Sequence, residues 1–231
     1  MPSAKSTSAG DVPTRILHAA TRLFAKRGFG GTSLSEISGA VGIRKPSLLY
    51  HFPSKEALRR SVLENMLSHW NEVVPRLLRA ATSGEDQYDA LLRETVSFFT
   101  ADPDRARLLV REALDRPDEI GALVQRHVRP WAEVVCEHIR KGQARGHIHG
   151  DVDPEAYVGQ MINLIISSVA TYACIGDVAP RGVSADEMRR RHILELCRVA
   201  KSSLFISSVA AERSHSASQP HETKPAPRTT T

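Results

Sequence analysis

Helical periodicity is the sequence feature that most constrains how this chain can fold. Along almost every patterned segment, apolar residues recur at every third or fourth position, and no alternating stretch is long enough to predict a strand. In residues 13–26 the apolar stripe consists of Ile16, Leu17, Ala20, Leu23 and Phe24. The sequence therefore predicts an all-α protein in which each helix buries one face.

A group of short helices near the N terminus is the most specific part of this pattern. Ser33 and Glu36 have the spacing of a capping box, and Gly42 is placed to end the helix that they begin after barely two turns. A third short helix is predicted over residues 45–51, where Pro46 falls in the first turn and is tolerated. A longer helix followed by two short ones that meet at a glycine predicts an N-terminal three-helix, helix-turn-helix DNA-binding domain.

The charge of the chain is concentrated in the same region. Residues 1–60 carry 10 Lys and Arg against 3 Asp and Glu, whereas residues 61–231 carry 21 against 23. This asymmetry favours a polyanionic partner for the N-terminal quarter, although charge alone is equally compatible with a basic face that is merely solvated.

The order of residues in this region carries a resemblance to a known family. The segment ILHAATRLFAKRGFGGTSLSEISGAVGIRKPSLLYHFPSKEAL, residues 16–58, resembles the DNA-binding domain of TetR-family transcriptional regulators. The resemblance implies a homodimer in which each third helix enters the major groove of a palindromic double-stranded DNA operator. It also implies a helical effector and dimerisation domain, and a repressor that an unknown small-molecule ligand releases from the operator.

Residues of the third helix and its flanks are the candidates for contact with DNA. Ile43, Leu48 and Phe52 are predicted to anchor the helix to its neighbours, which leaves its outer face for the groove. Thr32, Tyr50, His51 and Lys55 are predicted to contact the phosphate backbone, and a packing role is equally open for Tyr50 and His51. The full set of predicted contacts is Thr32, Ser33, Arg44, Lys45, Pro46, Ser47, Leu49, Tyr50, His51 and Lys55.

Within that set we expect Lys45, Ser47 and Arg44 at base edges, with contact to the phosphate backbone as the alternative for Arg44. One position departs from the family pattern, because members often have a tyrosine directly after the recognition-helix leucine and this chain has Leu49. Leucine cannot donate a hydrogen bond to phosphate, so that contact either passes to Tyr50 or is absent.

The predicted domain organisation has four parts. Residues 1–11 are expected to form a disordered N-terminal arm, 12–58 the helix-turn-helix domain, 59–207 the ligand-sensing and dimerisation domain, and 208–231 a disordered tail.

The last two predicted helices, 154–175 and 185–206, are where the resemblance implies dimerisation. Residues 156–176 contain no charged side chain and are long enough to span a bilayer, but five polar residues favour a buried or interface helix over a membrane span. A homodimer seam is more apolar than other protein surface, and a monomer core is the alternative. The residues predicted near the seam are Ile162, Ile166, Val169, Ala173, Leu194, Cys197 and Leu204.

A ligand pocket is expected between helices of the effector domain, because sites in helical bundles form there. Its predicted lining residues are Phe98, Leu109, Trp131, Val135 and Asn163. His147 and His149 lack the partner spacing of a metal site, so solvated histidines are favoured, and we predict neither a metal nor a cofactor.

Two other function classes were weighed against a ligand-responsive regulator. An all-helical enzyme with a substrate-steering basic head is disfavoured because no nucleophile–base pairing, phosphate loop or paired carboxylates appear in the sequence. An architectural DNA-binding protein without a ligand remains open. Three widely spaced cysteines and a polar N terminus predict a cytoplasmic protein.

Overall fold

Helices make up the secondary structure of the computed structural model, which describes residues 12–80, 84–175 and 182–206. The predicted all-α fold is confirmed, while the predicted disorder of residues 1–11 and 208–231 lies outside the described residues. Within the described ranges the helices are α1 (Val12–Arg27), α2 (Leu34–Val41), α3 (Lys45–His51), α4 (Lys55–Ala80), α5 (Gly84–Ala101), α6 (Pro103–Asp115), α7 (Pro117–His127), α8 (Arg129–Ala144), α9 (Pro154–Ile175) and α10 (Ala185–Ser202).

Helices α1 to α3 form a small unit around buried apolar side chains, among them Phe24, Ile37 and Leu48. The capping box forms as predicted: the Glu36 amide donates to the Ser33 hydroxyl at 3.2 Å, and the Ser33 amide donates to the Glu36 carboxylate at 2.8 Å. The hydrogen bonds that the Ser33 amide and the Ser33 hydroxyl donate to the Glu36 carboxylate, with the nearby Arg27, hold the pKa of Glu36 below its usual value.

The turn between α2 and α3 requires a glycine. Gly42 has φ of +76°, in the left-handed region that residues with a Cβ rarely adopt, and its amide donates to the Gly39 carbonyl. This turn fixes the angle at which α3 leaves α2.

Helix α4 joins the N-terminal unit to the rest of the molecule. It runs for 26 residues across the predicted domain boundary at residue 58, with Pro75 inside the helix. Leu58, Leu63 and Val74 are fully buried along its length. The two regions therefore share one continuous helix.

Among the remaining helices, α9 contacts α5, α6, α8 and α10, while α7 packs against α4, α6 and α8. Two details differ from the sequence prediction. The apolar pattern of residues 119–141 predicts one helix with a kink at Pro130, but the structure has two helices, α7 and α8, because Pro130 occupies the first turn of a new helix. The helix expected to reach residue 206 ends at Ser202, after which Phe205 makes an antiparallel bridge with Ile148. None of the described helices is long and apolar enough to cross a membrane.

Candidate nucleic-acid interface

The outer face of α3 is open to solvent. Arg44, Lys45, Pro46 and Ser47 are all exposed, while Leu48 is fully buried beneath them. The other two predicted anchors, Phe52 and Ile43, are buried and partly buried against the same core. A short basic and polar helix face on an apolar anchor has the size and chemistry to enter a major groove.

At the end of α3, Tyr50 projects from the surface with 86% of its area exposed. Its ring touches only the edge of the His51 ring, with centroids 5.2 Å apart, among the ring contacts of the described residues. Leu49 beside it is half-buried. Because most of the Tyr50 side chain is exposed and its ring contacts only His51 among the described residues, its hydroxyl can donate to a phosphate, and this geometry favours the predicted backbone role over a packing role.

Thr32 and Lys55, two residues predicted to contact phosphate, make hydrogen bonds inside the protein. The Thr32 side chain is 2% exposed, and its hydroxyl donates to the Gly28 carbonyl at 2.9 Å and the Leu23 carbonyl at 3.2 Å. The Lys55 ammonium donates to the Thr32 carbonyl at 2.7 Å and lies 4.3 Å from the Phe29 ring centroid. These contacts tie the turn before α2 to the start of α4 and give both side chains a structural role, while their contact with phosphate stays a prediction.

Not all of the basic residues near the N terminus are available to DNA. Arg27 pairs with Glu36 at 2.5 Å, and Arg59 is only 6% exposed. Ser33 is exposed, but its hydroxyl is already within the capping box. The basic groups that remain free at the groove-facing helix are those of Arg44 and Lys45, for which the described residues hold no ion-pair partner.

Arg59 and Glu112 are the buried members of an ion-pair network between α4 and the α6–α7 corner, which we call the junction (Phe29, Arg59, Glu112, Arg116 and Glu119). Arg59 donates to Glu112, which is 1% exposed, at 2.5 Å, and also donates to Glu119. Arg116 lies 3.8 Å from Glu112 and 3.6 Å from Glu119. Sequence reasoning missed this network, because its members are far apart in the chain.

The junction also reaches the turn that precedes α2. The guanidinium groups of Arg59 and Arg116 lie 5.4 and 4.7 Å from the Phe29 ring centroid. Burial acts to lower the pKa of Arg59, but its hydrogen bonds to Glu119 and Glu112 outweigh that effect, so the pKa lies above its usual value. The hydrogen bond from Arg59 lowers the pKa of Glu119. Both shifts favour the charged forms of Arg59 and Glu119, and the junction connects the N-terminal unit to α6 and α7.

The predicted pocket residues separate into three groups. Phe98 and Trp131 belong to one aromatic cluster, because Trp70 lies 5.1 Å from Phe98 and 6.4 Å from Trp131 between ring centroids. Leu109 and Val135 are buried core side chains. Asn163 is exposed on α9 and does not join the cluster, because it lies on the outer face of that helix.

Most of the residues predicted near the dimer seam are at least partly exposed, so they could contact a second chain. Ile162, Ile166, Val169 and Cys197 are half-buried, Ala173 is exposed, and Leu194 is 56% exposed. Leu204 is the exception: it is 1% exposed, and its carbonyl accepts a hydrogen bond from the His149 amide. The chain folds back at this point, so Leu204 belongs to the core of its own subunit. The described residues include no cluster of side chains able to hold a metal ion.

Comparison with known proteins connects this geometry to characterised families. Residues 16–62 match the family described as bacterial regulatory proteins, tetR family, and residues 108–187 match the tetracyclin repressor-like C-terminal domain. The chain is 31% identical over 139 residues to the HTH-type transcriptional regulator LmrA of Bacillus subtilis, covering 58% of this chain and 74% of that protein.

Other similar proteins have the same kind of description. The biofilm operon icaADBC HTH-type negative transcriptional regulator IcaR of Staphylococcus epidermidis is 27% identical over 160 residues, covering 68% of this chain and 80% of the relative. The structure of the ketosteroid transcriptional regulator KstR2 of Mycobacterium tuberculosis superimposes with a TM-score of 0.64 at 16% identity, covering 84% of this chain and 95% of that one. At this identity the superposition shows a shared fold.

Proposed function

Because this chain belongs to the tetR family of bacterial regulatory proteins and is a DNA-binding transcriptional regulator, we propose that it is a homodimeric repressor of a two-fold symmetric operator. A small molecule bound in the effector domain would release it. One relative is itself named a negative regulator, which supports this sign of regulation. The similar proteins are regulators rather than catalysts, so the enzyme alternative is set aside. We also propose a cytoplasmic location, because a regulator has to share a compartment with the operator that it binds.

The observation that carries the proposal is the exposed face of α3. The side chains of Arg44, Lys45 and Ser47 are exposed and have no hydrogen-bond or ion-pair partner among the described residues, while the buried Leu48 fixes the helix from behind. Arginine and lysine donate to the acceptors of guanine in the major groove, and a serine hydroxyl can donate or accept. We propose these three residues for base contacts and the projecting Tyr50 for a phosphate contact.

Dimerisation would place two such faces on one duplex. We propose the last two helices as the seam, because α9 presents an exposed row without charge and α10 exposes Leu194 and Val199. Helical spacing of three or four residues relates the members of the row: Ala156, Gln160, Asn163, Ser167, Thr171 and Cys174. Uncharged surface of this kind is characteristic of the centre of a dimer interface. Asn163, displaced from the pocket, would lie here.

The proposed mechanism is a shift between two dimer populations. A ligand that binds more tightly when the two α3 helices are wrongly spaced lowers the fraction of dimers able to bind the operator. The continuous α4 and the junction supply a connection between effector helices and the N-terminal unit. An architectural protein without a ligand would show no such response to any small molecule.

Salt dependence tests DNA binding through charged groups. If a dimer neutralises about six phosphates, affinity for duplex DNA should fall about a thousandfold between roughly 50 and 200 mM salt, because bound cations of the DNA are released on binding. Fluorescence anisotropy with a labelled duplex measures this. An affinity that does not change with salt would contradict the proposal.

A further inference from the structure

The ring of Phe29, in the turn between α1 and α2, lies among three cations. The Lys55 ammonium is 4.3 Å from the ring centroid, and the guanidinium groups of Arg116 and Arg59 are 4.7 and 5.4 Å from it. The face of a phenyl ring attracts positive charge at these distances. Phe29 also packs against the Phe24 ring, with 5.7 Å between centroids. It therefore combines a packing contact inside the N-terminal unit with charge contacts to other helices.

The three cations come from both sides of the boundary between the N-terminal unit and the effector domain. Lys55 and Arg59 lie near the start of α4, whereas Arg116 lies at the α6–α7 corner. Each has a second contact that restrains it. Lys55 donates to the Thr32 carbonyl at 2.7 Å, Arg59 donates to Glu112 at 2.5 Å, and Arg116 lies 3.8 Å from the same carboxylate. Because the cations are restrained, they can hold the Phe29 ring in one position.

Packing alone would not need this arrangement. A leucine at position 29 would fill apolar space but would offer the cations no ring face. Helix α1 packs against both α4 and α6, and packed helices can still slide by small amounts against each other. The Phe29 ring adds a directional contact just beyond the end of α1, next to Gly28, against which the Arg111 side chain of α6 lies. This contact restricts a movement that helix packing allows.

We propose that Phe29 is a positioning residue that fixes the orientation of the N-terminal unit relative to the effector domain, through the cations of α4 and of the α6–α7 corner. In a ligand-free dimer this orientation sets the half-site spacing that the two α3 helices accept, a step that rests on the function proposed above. One base pair inserted between half-sites moves one of them by about 3.4 Å and turns it by about 35° around the duplex axis. A unit held by the ring cannot follow that displacement, whereas a released unit can.

The dependence of affinity on half-site spacing tests this role. The operator that the full chain selects is compared, by fluorescence anisotropy, with duplexes whose half-sites are one base pair closer or farther apart. The unchanged protein should bind the altered duplexes about tenfold more weakly, and Arg116→Met should reduce this difference to about twofold. The Arg116→Met change removes a cation from the ring and leaves the N-terminal unit unaltered. Phe29→Leu should have the same effect, whereas Phe29→Tyr keeps the ring and should keep the difference.

The matched control removes one arginine elsewhere in the effector domain. Arg129 forms an exposed pair with Glu133 on α8, and Arg129→Met should keep the spacing preference of the unchanged protein. An unaltered preference in Arg116→Met, or an equal loss in Arg129→Met, would overturn the proposal. Equal losses in Phe29→Tyr and Phe29→Leu would also overturn it, because the position would then act through packing. Binding of the half-sites by the unchanged protein at every spacing would overturn the positioning role alone and leave DNA recognition intact.

A measurement without DNA separates this inference from the proposed function. Arg116 is distant from Phe29 in the chain, so an effect of Arg116→Met on the turn reports their contact through space. The amides of residues 28–32 should exchange with deuterium several-fold faster in Arg116→Met than in the unchanged protein or Arg129→Met, because the turn has lost a restraint. Unchanged exchange would overturn the positioning role. Failure of the unchanged protein to select any operator would instead contradict the proposed function.

Discussion

Alanine at both Arg44 and Lys45 should weaken operator binding by roughly 2–6 kcal/mol, or about thirtyfold at the least, because each good base contact contributes about 1–3 kcal/mol. Both side chains lie exposed at the start of α3. Sequence preference should decline with affinity, since base contacts carry specificity whereas phosphate contacts do not. Anisotropy titrations with operator and scrambled duplexes give both quantities.

The matched control removes the same charge far from α3. Arg76→Ala/Arg79→Ala changes two exposed arginines near the end of α4, and operator affinity should stay within about twofold of the unchanged protein. If the Arg44→Ala/Lys45→Ala protein kept both its affinity and its preference for operator over scrambled DNA, α3 would not be the helix that contacts bases.

The largest loss of stability is expected at the junction. Glu112→Ala should lower the free energy of unfolding by about 1.5–3 kcal/mol, because the guanidinium of the buried Arg59 loses its buried partner and keeps only the exposed Glu119. Denaturant unfolding at one fixed protein concentration measures this, since the stability of a dimer depends on concentration.

Two further variants separate a charge effect from general damage. Glu133→Ala removes one member of an exposed pair with Arg129 and should change stability by no more than about 0.5 kcal/mol. Arg59→Met/Glu112→Leu replaces the buried pair by apolar side chains and should recover much of the loss. A Glu112→Ala protein as stable as Glu133→Ala would show that the junction contributes nothing to folding.

Local sequence patterns predicted the N-terminal unit because its determinants are local. Ser33 and Glu36 are three residues apart, and Gly42 sits where α2 must end, so a short window contains the information. The buried and exposed faces of α3 follow from helical spacing in the same way, with Leu48 inside and Lys45 outside.

The features that sequence reasoning missed depend on contacts between distant residues. Arg59 and Glu112 are 53 positions apart, so no window shows that a residue counted with the basic surface is buried and paired. The sequence does not show that the Thr32 hydroxyl has internal partners, because the carbonyl groups that accept its hydrogen bonds come close only when the turn after α1 folds. Leu204 has the helical spacing of a seam residue, but the chain leaves the helix after Ser202.

The most direct test of the central claim is selection of bound sequences by the full chain from a randomised duplex library. The account predicts enrichment of a two-fold symmetric consensus, with its half-sites about one helical turn apart or a multiple of it, bound by two chains per duplex. Recovery of DNA without any consensus would contradict sequence-specific binding through α3. Recovery of an asymmetric site bound by one chain would contradict the homodimer.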